Sequence, residues 1–137
     1  MGDVRVGQEL PPFTRRTGLH HFNRYAAVND EFVPIHMDDE AGRAAGYPSA
    51  FGQGNLQWSF LHNVIRQWIG DDGIVERVTC TFRGANLKGQ TVTAGGRVTG
   101  VRVDAGDRIV DLEVWTENEV GEPLAPGTAT VRLPAPG

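Results

Sequence analysis

A single cysteine, Cys80, rules out an internal disulfide and fits a reducing compartment. Positive charge is not in excess either. Thirteen Lys and Arg stand against 17 Asp and Glu, and the formal net charge of −4 has the wrong sign for a dedicated nucleic-acid binder. Polar residues break every apolar stretch well short of the roughly 20 positions a membrane span needs. The start, Met1-Gly2-Asp3-Val4-Arg5, lacks the basic-then-apolar layout of a signal peptide, and Val6, with Gly7 after it, stands where a myristoylation pattern needs Ser or Thr. CxxC, HExxH, Walker-type loops and a full GxGxxG are absent, so neither a metal nor a bound cofactor is expected. These absences leave a soluble, cytoplasmic chain of 137 residues, one domain in length and long enough to bury its own core.

Glycine is abundant, at 18 residues, without a collagen period or a low-complexity block. It therefore signals turns and close backbone approaches. Leu10-Pro11-Pro12-Phe13 reads as an extended lead-in. Thr17 is placed to cap a short helix with Leu19, Phe22 and Ala26 on one face, ending near Asn29. Asp30 to His36 contains Pro34 and reads as loop. The acidic run Asp38-Asp39-Glu40 suits the positive end of a second short helix through Ala44 and Ala45, and Gly46 stops it.

The clearest element runs from Gly54 to Ile69. Leu56, Phe60, Leu61, Val64, Ile65 and Trp68 form one broad apolar stripe over about four helical turns. Gly70-Asp71-Asp72-Gly73 ends it. From Ile74 the period changes to two, over Ile74 to Arg83, Thr91 to Asp104, Arg108 to Glu117 and Thr128 to Leu133. Broken alternation in the third strand suggests a bulge near Asp111. Helices first and an antiparallel strand series afterwards give an α+β domain with helix packed on sheet.

Two places can carry chemistry. In Asn29 to Asp38, the carboxylates Asp30 and Glu31 precede His36 by six and five residues across a rigid proline. A carboxylate can tune a histidine or share proton transfer with it, although the same residues also make an ordinary solvated acidic turn. No further His or Cys stands at metal-ligand spacing from His36. The second place is Ala50-Phe51-Gly52-Gln53-Gly54-Asn55, where the long helix opens. Amides at a helix start are unpaired and suit an oxygen that gains negative charge; the competing reading is that the glycines only allow close packing.

Taken together, these stretches resemble the MaoC-like dehydratases, a hotdog-fold family that includes R-specific enoyl-CoA hydratases. The resemblance rests on Phe22 to Ala27, Pro34-Ile35-His36-Met37-Asp38, Ala41, Ala45, Gly46-Tyr47, and the turn Ala50-Phe51-Gly52. It continues through Phe82-Arg83, Gly89-Gln90-Thr91 and the final hairpin from Gly121 to Val131. It implies one hotdog unit over residues 1–137, an antiparallel sheet wrapped around a long central helix. The family's units pair through their sheets, so a homodimer is implied, or a heterodimer with a second hotdog chain. The substrate implied is an acyl thioester, of CoA or acyl carrier protein, hydrated or dehydrated at its 2,3 double bond. Carried onto this chain, the family's catalytic pair falls on His36 with Glu31, or with Asp30 if one residue is inserted, and its oxyanion hole on the Gly52 amide. Val33 stands where the family has asparagine, and Phe51 where it usually has histidine.

The departures at Val33 and Phe51 motivate a second reading, a non-catalytic or half-site subunit of a heteromeric hydratase. A third is an acyl-CoA thioesterase, but such hotdog enzymes more often carry a carboxylate on the central helix, and Gly52 to Gly70 has none. Arg15, Arg16, Arg83 and Lys88 are candidate phosphate contacts or ordinary surface charges. Trp58, Phe60 and Trp68 read as core, and Cys80 as a small buried hydrophobe.

Overall fold

The computed structural model describes residues 2–137. In chain order the elements are β1 (Phe13–Arg16), α1 (Leu19–Asn29), a 3₁₀ turn (Pro34–His36), α2 (Asp39–Ala44), α3 (Gly54–Ile69), β2 (Ile74–Cys80), β3 (Thr91–Asp104), β4 (Asp107–Glu117) and β5 (Gly127–Leu133). The stripe read from the sequence is the buried face of α3, where Leu61, Val64 and Ile65 are fully enclosed. Burial of each such side chain contributes about 1.5–3 kcal/mol. The opposing surface comes from the sheet, where Ala94, Val98, Val110, Leu112, Val114 and Val131 point inward at the strand period of two.

All five strands pair antiparallel, in the order β1-β3-β4-β5-β2. The strand that leaves α3 therefore lies at one sheet edge and the short β1 at the other. β3 and β4 form a hairpin whose central residues, Ala105 and Gly106, have φ of +50° and +86°. That is the left-handed pair a two-residue turn requires to match strand twist. Among the described residues no helix is long and apolar enough to cross a membrane.

Several expectations need correction. The extended lead-in continues into a strand, since Phe13–Arg16 pairs with Thr91–Ala94. Thr17 does not cap α1. Its hydroxyl shares its one hydrogen between Asn86 Oδ1 at 2.8 Å and the Gln90 carbonyl at 3.0 Å, and Gly18 is the cap residue. The bulge lies where β3 meets Asp111 and Leu112, but the register shifts between Val98 and Gly100, so β3 carries the extra residue. Broken alternation marks a position along a ladder without saying which strand is longer. Trp58 is not core: it is 40% exposed, while Phe60 is buried and Trp68 half-buried. Cys80 is half-buried, and burial pushes its thiol up.

Candidate active site

The segment at the head of α3 is held by a short irregular ladder. Lys88 N–H donates to the Ala50 carbonyl (3.2 Å), and Gly52 N–H donates to the Asn86 carbonyl (2.7 Å). On its other side, Phe51 N–H donates to the Ile35 carbonyl at 3.2 Å. Residues 50–52 thus run between the 34–36 turn and the 86–88 loop. Gly52 is required by close approach: a Cβ there would stand 2.8 Å from the Phe22 ring and 3.0 Å from Asn86 Nδ2. Gly42 is required in the same way, because a Cβ would collide with the Ser49 carbonyl.

This ladder fixes His36. The 3₁₀ turn closes with His36 N–H on the Val33 carbonyl at 3.0 Å, and the ring is buried, edge-on to Phe51 at 5.3 Å between centroids. His36 Nδ1 lies 2.8 Å from the Phe51 carbonyl oxygen. A carbonyl can only accept, so Nδ1 carries the proton and, in the neutral ring, Nε2 presents a bare lone pair. His36 lines a cavity of about 320 Å³ with Gly52, Gly54, Gln57 and Phe82 among its walls. A neighbouring cavity of about 560 Å³ shares the wall Tyr47, Arg83, Gly84 and Ala85.

The two carboxylates are not brought onto that wall. Asp30 closes α1 in the left-handed conformation, φ +49°, and is exposed. Glu31 is half-buried, with its N–H on the Ala26 carbonyl (3.0 Å) and its Oε2 accepting from Asn29 Nδ2 (3.0 Å). Neither pairs with His36 in this structure. Val33, where the resemblance would place an asparagine, is partly exposed and offers no hydrogen-bonding side chain.

The resemblance put the oxyanion hole on the Gly52 amide, and the structure argues against that placement. The Gly52 amide is already committed to Asn86, while Gly54 is the first residue of α3, where an amide has no partner in its own helix. No side chain caps the helix, because Gln53 turns inward and donates from Nε2 to the Phe22 carbonyl at 2.8 Å. Among the described residues, the Gly54 N–H has no acceptor, and Gly54 lines the His36 cavity. The sequence held the signal, a second glycine at the helix start, but not the partner that occupies the first. Gln57 also lines this cavity, and nothing in the apolar stripe marked it.

The cations separate as well. Lys88 Nζ is 2.6 Å from Asp39 Oδ2, and Arg15 lies over the Phe13 ring, 4.3 Å from its centroid. Arg83 alone of the four candidates faces both cavities. Among the described residues no group of three or more His, Cys, Asp and Glu side chains converges.

Asp39 ties α2 to the helix-opening turn. Its carboxyl is held below the ordinary carboxylate value, first by the Lys88 hydrogen bond and then by the Ala50 N–H at 3.1 Å. A depressed pKa contributes stability above the unfolded value, near 3.9, and loses it as pH falls through the folded value. Asp39→Asn is therefore expected to be less stable than the parent at pH 7, with the gap closing in acid below about pH 4. Urea denaturation of both proteins at the two pH values tests this, and a gap independent of pH would contradict it.

Comparison with known proteins gives this site its context. A family model described as "MaoC like domain" matches residues 6–120. The (R)-specific enoyl-CoA hydratase of Aeromonas caviae is 25% identical over 132 residues, covering 96% of both chains. The solved structure of the (R)-hydratase from A. caviae involved in PHA biosynthesis superposes with a TM-score of 0.87 at 26% identity, over 96% of this chain and 98% of that one. The ChsH1-ChsH2 complex from Mycobacterium tuberculosis contains a chain with a TM-score of 0.84 at 19% identity, over 96% and 99%. The sheet wrapped around α3 is thus the hotdog fold that the sequence motifs implied. With the matched model spanning most of its length, the chain belongs to the MaoC-like domain family.

Proposed function

We propose that this protein is an enoyl-CoA hydratase or 3-hydroxyacyl-thioester dehydratase, forming or consuming the (R)-3-hydroxy product. One observation carries this reading. His36 is locked through Nδ1–H on the Phe51 carbonyl, which leaves Nε2 basic, in a cavity where the unpaired Gly54 amide is also found. In hydration, His36 Nε2 takes a proton from water as the oxygen bonds to C3, the 2,3 π electrons move toward the thioester oxygen, and as the enolate collapses C2 takes a proton from the acid–base pair, which the water's proton replaces. The net change is addition of one water. Gly54 N–H stabilises the oxygen as enolate charge develops.

Glu31 is assigned as the carboxylate that completes the pair, because it is half-buried whereas Asp30 is exposed at the C-terminal cap of α1. Arg83 is assigned to the phosphates of the carrier, since it lines both cavities. The assembly proposed is a homodimer joined through the sheets, whose β1 and β2 edges, among the described residues, each have a strand on one side only.

A test is the loss of enoyl-thioester absorbance when the purified chain alone meets a trans-2-enoyl-CoA. Glu31→Gln is expected to lower turnover by about 10²-fold or more, and Asp30→Asn to leave it unchanged. The reverse pattern would move the role to Asp30. His36 without a contacting carboxylate, together with the likeness to a chain of the ChsH1-ChsH2 complex, favours a second reading as one half of a heteromeric hydratase. That reading requires an inactive chain that gains activity when a second hotdog chain is added.

A further inference from the structure

We propose that Gln57 is a second hydrogen-bond donor to the thioester oxygen in the His36 cavity, its amide held in place by Thr116 and Gly84. This rests on the hydratase reading and adds a residue to it.

Gln57 is a polar side chain on the buried face of α3, 2% exposed, among leucine, phenylalanine and valine neighbours. Such a group is costly inside a core unless it is bonded. Thr116 Oγ1 donates to Gln57 Oε1 at 2.7 Å, and Gln57 Nε2 donates to the Gly84 carbonyl at 3.0 Å. The two bonds also settle which end of the amide is which, because the Gly84 carbonyl can only accept. Oε1 therefore faces Thr116 and Nε2 faces Gly84.

An amide nitrogen carries two hydrogens, and Gly84 takes one. Among the described residues no atom accepts the other. Gln57 and Gly84 both line the His36 cavity, so the nitrogen with a hydrogen to spare lies at its wall. The helix supplies the direction. Side chains on an α-helix tilt toward its N-terminus, and residues three apart share a face. Gln57 thus carries its amide back over the first turn, to the side where the Gly54 N–H opens. One backbone donor and one side-chain donor, both fixed before substrate arrives, make a two-point cradle for a developing oxyanion. Thr116, fully buried on β4, is the positioning residue, and its hydrogen bond to Oε1 further polarises the amide N–H.

The experiment uses the full chain and its Gln57→Leu, Thr116→Val and His36→Ala variants, each checked for native circular dichroism. Two readouts are taken: turnover of a trans-2-enoyl-CoA, and the absorption band of a bound 2,4-dienoyl-CoA. The second moves to longer wavelength as the thioester carbonyl is polarised, whether or not water is added. Gln57→Leu is expected to lower kcat about 10²–10³-fold with KM little changed, and to reduce the band shift. Thr116→Val is expected to move both readouts in the same direction by less, and it decides the question should Gln57→Leu fail to fold. Folded variants with the parent's kcat and an unaltered band shift would overturn the proposal. If the parent binds and shifts the band without turnover, the band in the two variants still decides the role of Gln57, while the hydratase reading falls. A parent that shows neither turnover nor a band shift removes both.

Discussion

Replacing His36 with alanine is expected to reduce turnover of a trans-2-enoyl-CoA by about 10²–10⁴-fold, the usual contribution of a positioned acid–base group. Each tenfold corresponds to about 1.4 kcal/mol of barrier, so the loss is plain in an absorbance assay. The size follows from how the ring is held. Its burial, the Val33 contact to its backbone and the Phe51 contact to Nδ1 leave a single tautomer with its lone pair at Nε2. His36→Gln keeps a polar side chain but has no basic nitrogen, so it is expected to be nearly as impaired as His36→Ala. The fold should persist in both, since the 3₁₀ turn is closed by backbone bonds and by Phe51 N–H on the Ile35 carbonyl. An active His36→Ala protein would remove the acid–base mechanism and direct attention to the heteromeric reading or to thioester hydrolysis, detected as released thiol.

Phe22→Ala is expected to cost about 3–5 kcal/mol, the range for removing a fully buried aromatic ring. Against typical domain stabilities of about 5–15 kcal/mol, that is a large fraction. Phe22 is completely buried on α1, and its ring fills the space that a Gly52 side chain would occupy. Its carbonyl also accepts from Gln53 Nε2, so α1 and the helix-opening turn are joined at this one residue. Chemical denaturation gives the loss directly. Val28→Ser, 81% exposed on the same helix, serves as the control and should stay within about 0.5 kcal/mol of the parent. A loss below about 1 kcal/mol for Phe22→Ala would mean that neighbouring side chains close over the cavity. Because Phe22 backs the turn that carries Gly52, residual folded protein is also expected to show lower turnover than its folded fraction explains.

What the sequence by itself determined is the local architecture and the identity of the chemical groups. Gly54 to Ile69 could only be an amphipathic helix, and the change to a period of two after Gly73 marked the strands to within three residues at each end. His36 after a proline, with carboxylates upstream and a glycine-opened helix downstream, was enough for a family resemblance. These signals are legible because each depends on neighbours a few residues away. β1 was missed because four residues beside two prolines carry little periodicity, and their strand character comes from pairing with β3 almost 80 positions later.

The tertiary structure alone decided which groups can act. It committed the Gly52 amide, where the resemblance had put the oxyanion hole, to Asn86, and left the Gly54 amide unpaired at the cavity. It bound Lys88 to Asp39, set Arg83 in the wall shared by two cavities, and made Gln57, which the stripe did not mark, a held amide. The partners of Gln57 are 27 and 59 residues away along the chain. A hydrogen-bond donor is available only if nothing else in the folded chain has taken it, and that is a property of distant contacts, which no local pattern of residues records.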